Sequence, residues 1–92
     1  MKLSINTDKY LCDFKSILVE MIKNMTDIKP TESISGDFIA QMIPHHLAAI
    51  EMSENALKFN ICPELKPILE AIIASQKRGV KKMKRLLAEI SC

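Results

Sequence analysis

The sequence predicts an all-α protein, an antiparallel helical bundle of three main helices. Apolar residues make up 48% of the 92 residues, but aromatic residues only 4%, and two glycines occur. Such an apolar fraction, built on Leu, Ile, Met and Ala, favours helices over strands. In three stretches the apolar residues recur three and four apart, as on one face of a helix. This length fits one domain, so we expect residues 1–92 to form a single helical-bundle domain.

The first helix is predicted over about residues 7–28. Thr7 or Asn6 can cap its start, and Asp8 suits the positive end of the helix dipole. Pro30 ends it, because the residue before a proline avoids the helical region. Its apolar stripe comprises Leu11, Phe14, Leu18, Met21, Met25 and Ile28.

The second helix is predicted over about residues 33–59, with Thr31 or Ser33 as its cap. Its apolar stripe, which we expect to be buried, comprises Phe38, Met42, His45, His46, Ala49, Met52, Ser53 and Ala56. Ile39, Ile50 and Leu57 flank that stripe. The opposite, solvated face carries Glu51, Glu54, Asn55 and Lys58.

The third helix is predicted over about residues 63–90, with Pro63 at its first position. Its stripe comprises Leu65, Leu69, Ile72, Gln76, Val80, Met83, Leu87 and Ile90. Short connections make the three helices antiparallel neighbours. Their stripes can close a three-helix core, or they can pair with a second copy of the chain, and the wide apolar flanks favour a homodimer.

Charge and cysteine content limit the partners and the compartment. The net charge is +2, and the basic residues between Lys77 and Arg85 have no interleaved aromatic residues, so we expect neither nucleic acid nor membrane as a partner. The acidic Asp8 interrupts the N-terminus before an apolar core develops, so we expect no signal peptide. Cys12, Cys62 and Cys92 lack CxxC spacing and suit reduced thiols of a cytoplasmic protein. Cys12 falls away from its stripe and is expected at the surface.

Both histidines of the chain lie in one unusual stretch of the second helix. Met42-Ile43-Pro44-His45-His46 places two imidazoles and a thioether on one apolar half of the helix, and Met52 adds a second thioether. Pro44 inside a helix deprives the Ala40 carbonyl of its hydrogen bond. This cost is easier to understand beside a site that needs altered geometry.

The third helix is also expected to contribute to this site. Gln76 lies at the centre of its apolar stripe, and Met83 lies on the same stripe. A buried amide needs partners, which facing histidines could supply. Imidazole and thioether together suit copper(I), with zinc as the second choice, and are poor ligands for magnesium or calcium. The sequence has no HExxH motif, phosphate-binding glycine loop or nucleophile–base spacing. We therefore expect a metal-binding protein without catalytic activity.

A second hypothesis assigns the same residues a structural role. An isolated histidine on an apolar stripe is usually a half-buried core residue, and methionines such as Met21 and Met25 usually fill the core. In that case His45, His46 and Gln76 form a metal-free polar network in a structural or protein-interaction module.

Two motifs resemble the DUF305 family (domain of unknown function 305). They are Phe38-x-x-x-Met42-Ile43-Pro44-His45-His46-x-x-Ala49-Ile50-x-Met52 and Ile72-Ile73-x-x-Gln76-x-x-x-Val80-x-x-Met83, within Ser35 to Leu87. The resemblance implies a ferritin-like helical bundle, with copper binding and metal tolerance attributed to some relatives. It implies no enzymatic reaction. The site residues that it implies are Met42, His45, His46, Met52, Gln76 and Met83.

The chain departs from the family pattern at several positions. Ser35 and Gly79 stand where acids are usual, Leu47 where glutamine or glutamate is frequent, and Leu86 where tryptophan is usual. Asp37 is near Ser35 in sequence but about 160° away around the helix. Ser35 and Asp37 are therefore expected only as supporting residues, and the loss of two acids favours a softer site.

Overall fold

The computed structural model of the chain describes residues 2–89, which form three α-helices and two short connections. Helix α1 spans Lys2–Thr26, α2 spans Ile34–Leu57 and α3 spans Leu65–Glu89. No strand occurs within residues 2–89. The predicted all-α fold class with three main helices is confirmed. The predicted stripe residue Ile90 and the thiol of Cys92 lie outside the described residues.

The start of α1 differs from the prediction. The helix begins at Lys2, because the first residues include neither glycine nor proline to interrupt it. The prediction of a cap at Thr7 or Asn6 is therefore wrong. At the other end, the Thr26 hydroxyl donates a hydrogen bond to the Ile22 carbonyl at 2.9 Å. This local bond returns the Thr26 hydroxyl to the backbone of its own helix.

Helix α2 begins at a capped turn. Ser33 is its N-cap, and its hydroxyl accepts a hydrogen bond from the Gly36 backbone amide at 3.2 Å. The preceding loop is held by Thr31, whose backbone amide donates to Asp37 Oδ1 at 2.7 Å. A Cβ atom at Gly36 would overlap the Thr31 side chain. This position therefore needs glycine, because the loop passes so close to the helix.

Helix α2 is the middle helix, and it packs against its neighbours with two opposite sides. On one side, the Asn55 amide donates a hydrogen bond to the Tyr10 carbonyl of α1 at 3.2 Å. On the other side, His46 lies against Gly79 of α3. Helices α1 and α3 do not contact each other within the described residues. The three helices therefore do not close a core by themselves.

The protein is a flat layer, 54 Å by 25 Å by 13 Å. Its thickness is that of a single helix with its side chains, about 10–12 Å. This arrangement corrects three predictions for α2. Phe38, expected in the core, is 57% exposed, and Asn55, expected on the solvated face, is only 3% exposed. His45, expected in the buried stripe, is exposed. A helix between two neighbours buries two opposite sides and leaves the remaining two open.

The predicted stripe of α3 faces α2 except at Leu65, which is exposed at the start of the helix. Leu69 and Val80 are buried, and Ile72, Gln76, Met83 and Leu87 are half-buried. On α1, Phe14 and Met21 are half-buried towards α2, whereas Leu11 is exposed. Tyr10 closes this end of the layer by packing edge-on against Phe59, with ring centroids 5.9 Å apart.

The cysteines and the hydropathy of the helices add two findings. Cys12 and Cys62 are exposed free thiols, and the predicted surface position of Cys12 is confirmed. None of the helices within residues 2–89 combines the length and the apolar character that crossing a membrane requires.

Candidate metal site

The site begins with the orientation of His46. Its Nδ1 lies 2.9 Å from the carbonyl oxygen of Met42, one turn earlier on α2. A carbonyl oxygen can only accept, so Nδ1 is the protonated nitrogen that donates this bond. In the neutral imidazole, Nε2 then keeps its lone pair and can bind a metal ion or accept a proton. Histidine ligands of metals are commonly held through such a bond from the other ring nitrogen.

Helix α3 leaves room for this imidazole at Gly79. A Cβ atom placed on Gly79 would lie 3.4 Å from His46 Cδ2 and 3.9 Å from Nε2. The Cδ2–Nε2 edge of the ring therefore faces the backbone of α3. Glycine keeps this edge free of a neighbouring side chain at its own position.

Two thioethers lie at one level of the groove between α2 and α3. Met42 precedes His46 by four residues, and Met83 follows Gly79 by four residues. The helices are antiparallel, so Met42 on α2 and Met83 on α3 both lie about 6 Å from the His46–Gly79 contact in the same direction along the groove. Both methionines are half-buried. The fold thus places the positions of Met42, His46 and Met83 along one groove.

Gln76 lies on α3 on the opposite side of Gly79 from Met83. It precedes Gly79 by three residues, so the two positions are neighbours on one face of α3. Its Oε1 atom is buried and has no hydrogen-bond partner among the described residues. A buried acceptor in this state costs about 1–3 kcal/mol. The groove therefore contains two groups that can accept a hydrogen bond, His46 Nε2 and Gln76 Oε1.

His45 occupies a different place from its neighbour. It is exposed and lies about 100° around α2, on the open side of the layer. The two imidazole centroids are 5.8 Å apart and the rings are inclined at 61°. Two imidazoles that bind one ion through nitrogen at about 2.0 Å span about 6 Å between centroids. Their separation is thus compatible with a shared ion.

The remaining candidates lie further away. Met52 is half-buried and lies seven residues beyond His45, about 10 Å along the axis. Ser35 is exposed at the start of α2. The Asp37 carboxylate accepts from the amide and the hydroxyl of Thr31, at 2.7 Å and 2.9 Å. The structure therefore uses Asp37 to hold the loop and does not bring it to the histidines.

The two histidines have no third histidine, cysteine or carboxylate beside them within residues 2–89. Within residues 2–89, no three side chains of His, Cys, Asp or Glu are close enough to hold a metal ion together. An apolar groove of about 290 Å³ lies between Tyr10, Phe59 and Leu65, away from the histidines. A polar groove of about 330 Å³ lies beside Asp13 and Glu54 on the other side of the layer.

Sequence reasoning treated Gly79 only as a departure from the family pattern, and the structure makes it the contact of His46. A signal was present in the spacing. Gln76, Gly79 and Met83 are three and four residues apart and hence share one face of α3. What the sequence lacked was the register between the two helices.

Fold and site together define an all-α domain with a candidate imidazole–thioether site in the groove between two antiparallel helices. Residues 18–90 match the profile of the family described as "Domain of unknown function (DUF305)". The chain therefore belongs to the DUF305 family, which confirms the resemblance. Comparisons with curated proteins and with solved structures found no significant match.

Proposed function

We propose that this protein is a non-catalytic, metal-binding helical domain that prefers copper(I) and acts in metal tolerance or storage. The observation that carries the proposal is the hydrogen bond from His46 Nδ1 to the Met42 carbonyl. It directs the Nε2 lone pair away from its own backbone and fixes the ring orientation, as in known metal ligands.

The donors in the groove suit a soft ion. Met42 and Met83 both lie one helical turn from His46 in the same direction along the groove, and their thioethers prefer copper(I) to the hard cations magnesium and calcium. Zinc is the second choice, because the imidazoles can bind it. A closed zinc site takes four ligands, usually thiolates and imidazoles. Within residues 2–89 no cluster of such side chains completes that set.

The alternative function is a structural or protein-interaction module with a metal-free polar network. That network requires hydrogen bonds between His46 and Gln76 across the α2–α3 groove. The Nδ1 bond of His46 leaves Nε2 able to accept from the Gln76 amide and therefore fits either function. Gln76 Oε1 has no partner among the described residues, which a closed polar network would not leave, and this favours the metal-binding proposal.

A cytoplasmic location belongs to the same proposal. Cys12 and Cys62 are exposed free thiols, and such thiols persist in reducing compartments. Copper(I) is also the oxidation state that a reducing compartment maintains. The exposed thiols and the proposed copper(I) site both fit a reducing compartment such as the cytoplasm.

Anaerobic titration with copper(I) against a chromophoric chelator tests the proposal. We expect one ion bound with a nanomolar or lower Kd, and a loss of at least a hundredfold in affinity for His45→Ala/His46→Ala. Met42→Leu/Met83→Leu should weaken binding about tenfold or more. Its matched control, Met21→Leu/Met25→Leu, changes two half-buried methionines of α1 and should leave the affinity unchanged. Micromolar binding that ignores the histidine substitutions would contradict the proposal.

A further inference from the structure

The three helices leave one broad face of the layer apolar. We call this the apolar face and define it by Leu11, Ile22, Ile34, Phe38, Ile68 and Leu86, with His45 at its centre. All six hydrophobic side chains are at least half exposed, and Ile34 is 91% exposed. Exposed apolar side chains on one side of a layer indicate a surface that a partner covers.

Acidic residues of α1 and α2 gather on the opposite side, whereas Lys15 and Lys82 border the apolar face, about 20° from Ile22 on α1 and about 40° from Leu86 on α3. Lys58 Nζ of α2 is 4.0 Å from Asp13 Oδ2 of α1, beside Glu51 and Glu54. Ile22 lies about 180° around α1 from Asp13, and His45 lies about 180° around α2 from Glu54. The layer is therefore two-sided, with an apolar face and a polar face.

The same division holds on α3. Ile68 and Leu86 both lie about 80° to one side of Gln76, the centre of the stripe that faces α2. Lys77 and Lys84 lie about 80–100° to the other side of Gln76 and thus on the polar face. All three helices contribute to both faces.

The exposed area matches what a symmetric dimer buries. The accessible surface is 6834 Å², whereas a compact monomer of 10.4 kDa has about 5,400 Å². The difference is about 1,400 Å² per chain. A standard interface buries about 800 Å² per partner, and homodimers often bury more. Covering the apolar face once would bring the chain to the surface area of a compact protein.

We propose that the apolar face binds the apolar face of a second copy, and that the two layers form a two-fold symmetric six-helix dimer. A second copy has the same shape and the same uncharged centre, as an isologous interface requires. The pairing does not need a metal ion, so it stands independently of the copper proposal.

This dimer places the two copies of His45 together. Helix α2 is the middle helix of the layer, and His45 is the twelfth of its 24 residues. In the proposed dimer, the two-fold axis lies in the plane between the two layers and passes over the middle of α2. Every axis of this kind, in any direction within that plane, brings each His45 opposite its counterpart. His45 would thus join the groove of His46 to the subunit interface, and the partner would supply a second imidazole.

Sedimentation of the metal-free chain at tens of micromolar tests the dimer. We expect twice the mass of the 10.4 kDa chain. Phe38→Glu and Ile22→Glu should give monomers, because each introduces a charge into the interface on both copies. Leu47→Glu is the matched control, since Leu47 is 39% exposed but about 160° from His45 around α2. A monomeric wild type, or a dimer lost only in the Leu47 variant, would overturn the proposal.

Cross-linking tests the position of His45. Facing helices with axes 8–10 Å apart bring their Cα atoms to about 4–5 Å, since the Cα radius is about 2.3 Å. A disulfide spans that distance. With all three native cysteines changed to serine, His45→Cys should form a covalent dimer on mild oxidation, and Leu47→Cys should not. A non-covalent dimer without this cross-link would overturn the central placement of His45, whereas the copper titration would be unaffected.

Discussion

His46 and Met42 are joined by a hydrogen bond of 2.9 Å between the imidazole Nδ1 and the backbone carbonyl one turn earlier. The bond fixes the orientation of the ring relative to the backbone of α2. It spans Pro44, which lies between the two residues and has no backbone amide to donate. It leaves Nε2 on the edge that faces Gly79. The chemistry of the groove depends on this relationship, because a ring turned the other way would present a protonated nitrogen.

An acid at position 79 should change the metal preference. Gly79→Asp adds a carboxylate beside the Nε2 edge of His46, where a Cβ atom would be 3.9 Å from Nε2. Zinc accepts oxygen and imidazole ligands, whereas copper(I) prefers soft donors. We expect zinc affinity to rise about tenfold or more, measured by calorimetry. The control Ala74→Asp adds the same charge at an exposed position of α3, about 140° away. Equal gains in both variants would show a general charge effect.

The two glycines should respond oppositely to alanine. Gly36→Ala places a methyl group where the Thr31 side chain lies, and the required shift should cost about 1–3 kcal/mol. Gly79→Ala meets only the His46 ring, at 3.4 Å from Cδ2 and 3.9 Å from Nε2, which is ordinary contact, so the better helix propensity of alanine should dominate, with a gain of about 0.5–1 kcal/mol. Urea denaturation of both variants measures the difference. Similar effects in both would refute the close approach at Gly36.

The cap of α2 makes a smaller prediction. Ser33→Ala removes the acceptor of the Gly36 amide and should lower the free energy of unfolding by about 1 kcal/mol. Ser35→Ala, at an exposed position two residues later, is the matched control. We expect it to lie within about 0.5 kcal/mol of the wild type in the same urea titration. If Ser35→Ala lowered the free energy of unfolding more than Ser33→Ala, Ser33 would not be the stabilising cap of α2.

Asn55 should tolerate leucine better than aspartate. Its amide nitrogen donates to the Tyr10 carbonyl, and its Oδ1 is buried without a partner among the described residues. Aspartate would bury a charge that cannot donate to that carbonyl, near Asp13 and Glu51. We expect Asn55→Asp to lose about 2 kcal/mol or more at pH 7, and Asn55→Leu to lose less. Thermal unfolding that ranks the two variants in the reverse order would contradict the burial of this side chain.

Helix existence could be predicted from the sequence, but helix partners could not. The apolar period of α3 correctly placed Leu69 and Val80 against the rest of the fold. The same reasoning gave α2 one buried stripe that included Phe38, whereas α2 buries two opposite sides. Ile39 lies about 180° from Ala48, and both are buried. A single periodicity cannot describe a helix with two neighbours, which is why Phe38 and Asn55 were misplaced.

The candidate site shows the same limit. Residue chemistry and spacing identified His45, His46, Met42, Gln76 and Met83 from the sequence. The separation of the histidines into a groove residue and a surface residue required the structure. It follows from the 100° between successive residues and from the packing of α3 against only one of them. The tautomer of His46 likewise depends on a local hydrogen bond that no spacing reveals.

The nitrogen resonances of His46 provide the most direct measurement. Long-range proton–nitrogen correlation spectra distinguish protonated from unprotonated imidazole nitrogens in the full-length chain. Without metal, we expect Nδ1 of His46 to be protonated and Nε2 to be unprotonated. One equivalent of copper(I) should shift Nε2 and leave Nδ1 protonated. A proton on Nε2 in the neutral metal-free ring, or an unchanged Nε2 resonance after copper(I) addition, would contradict the proposed site.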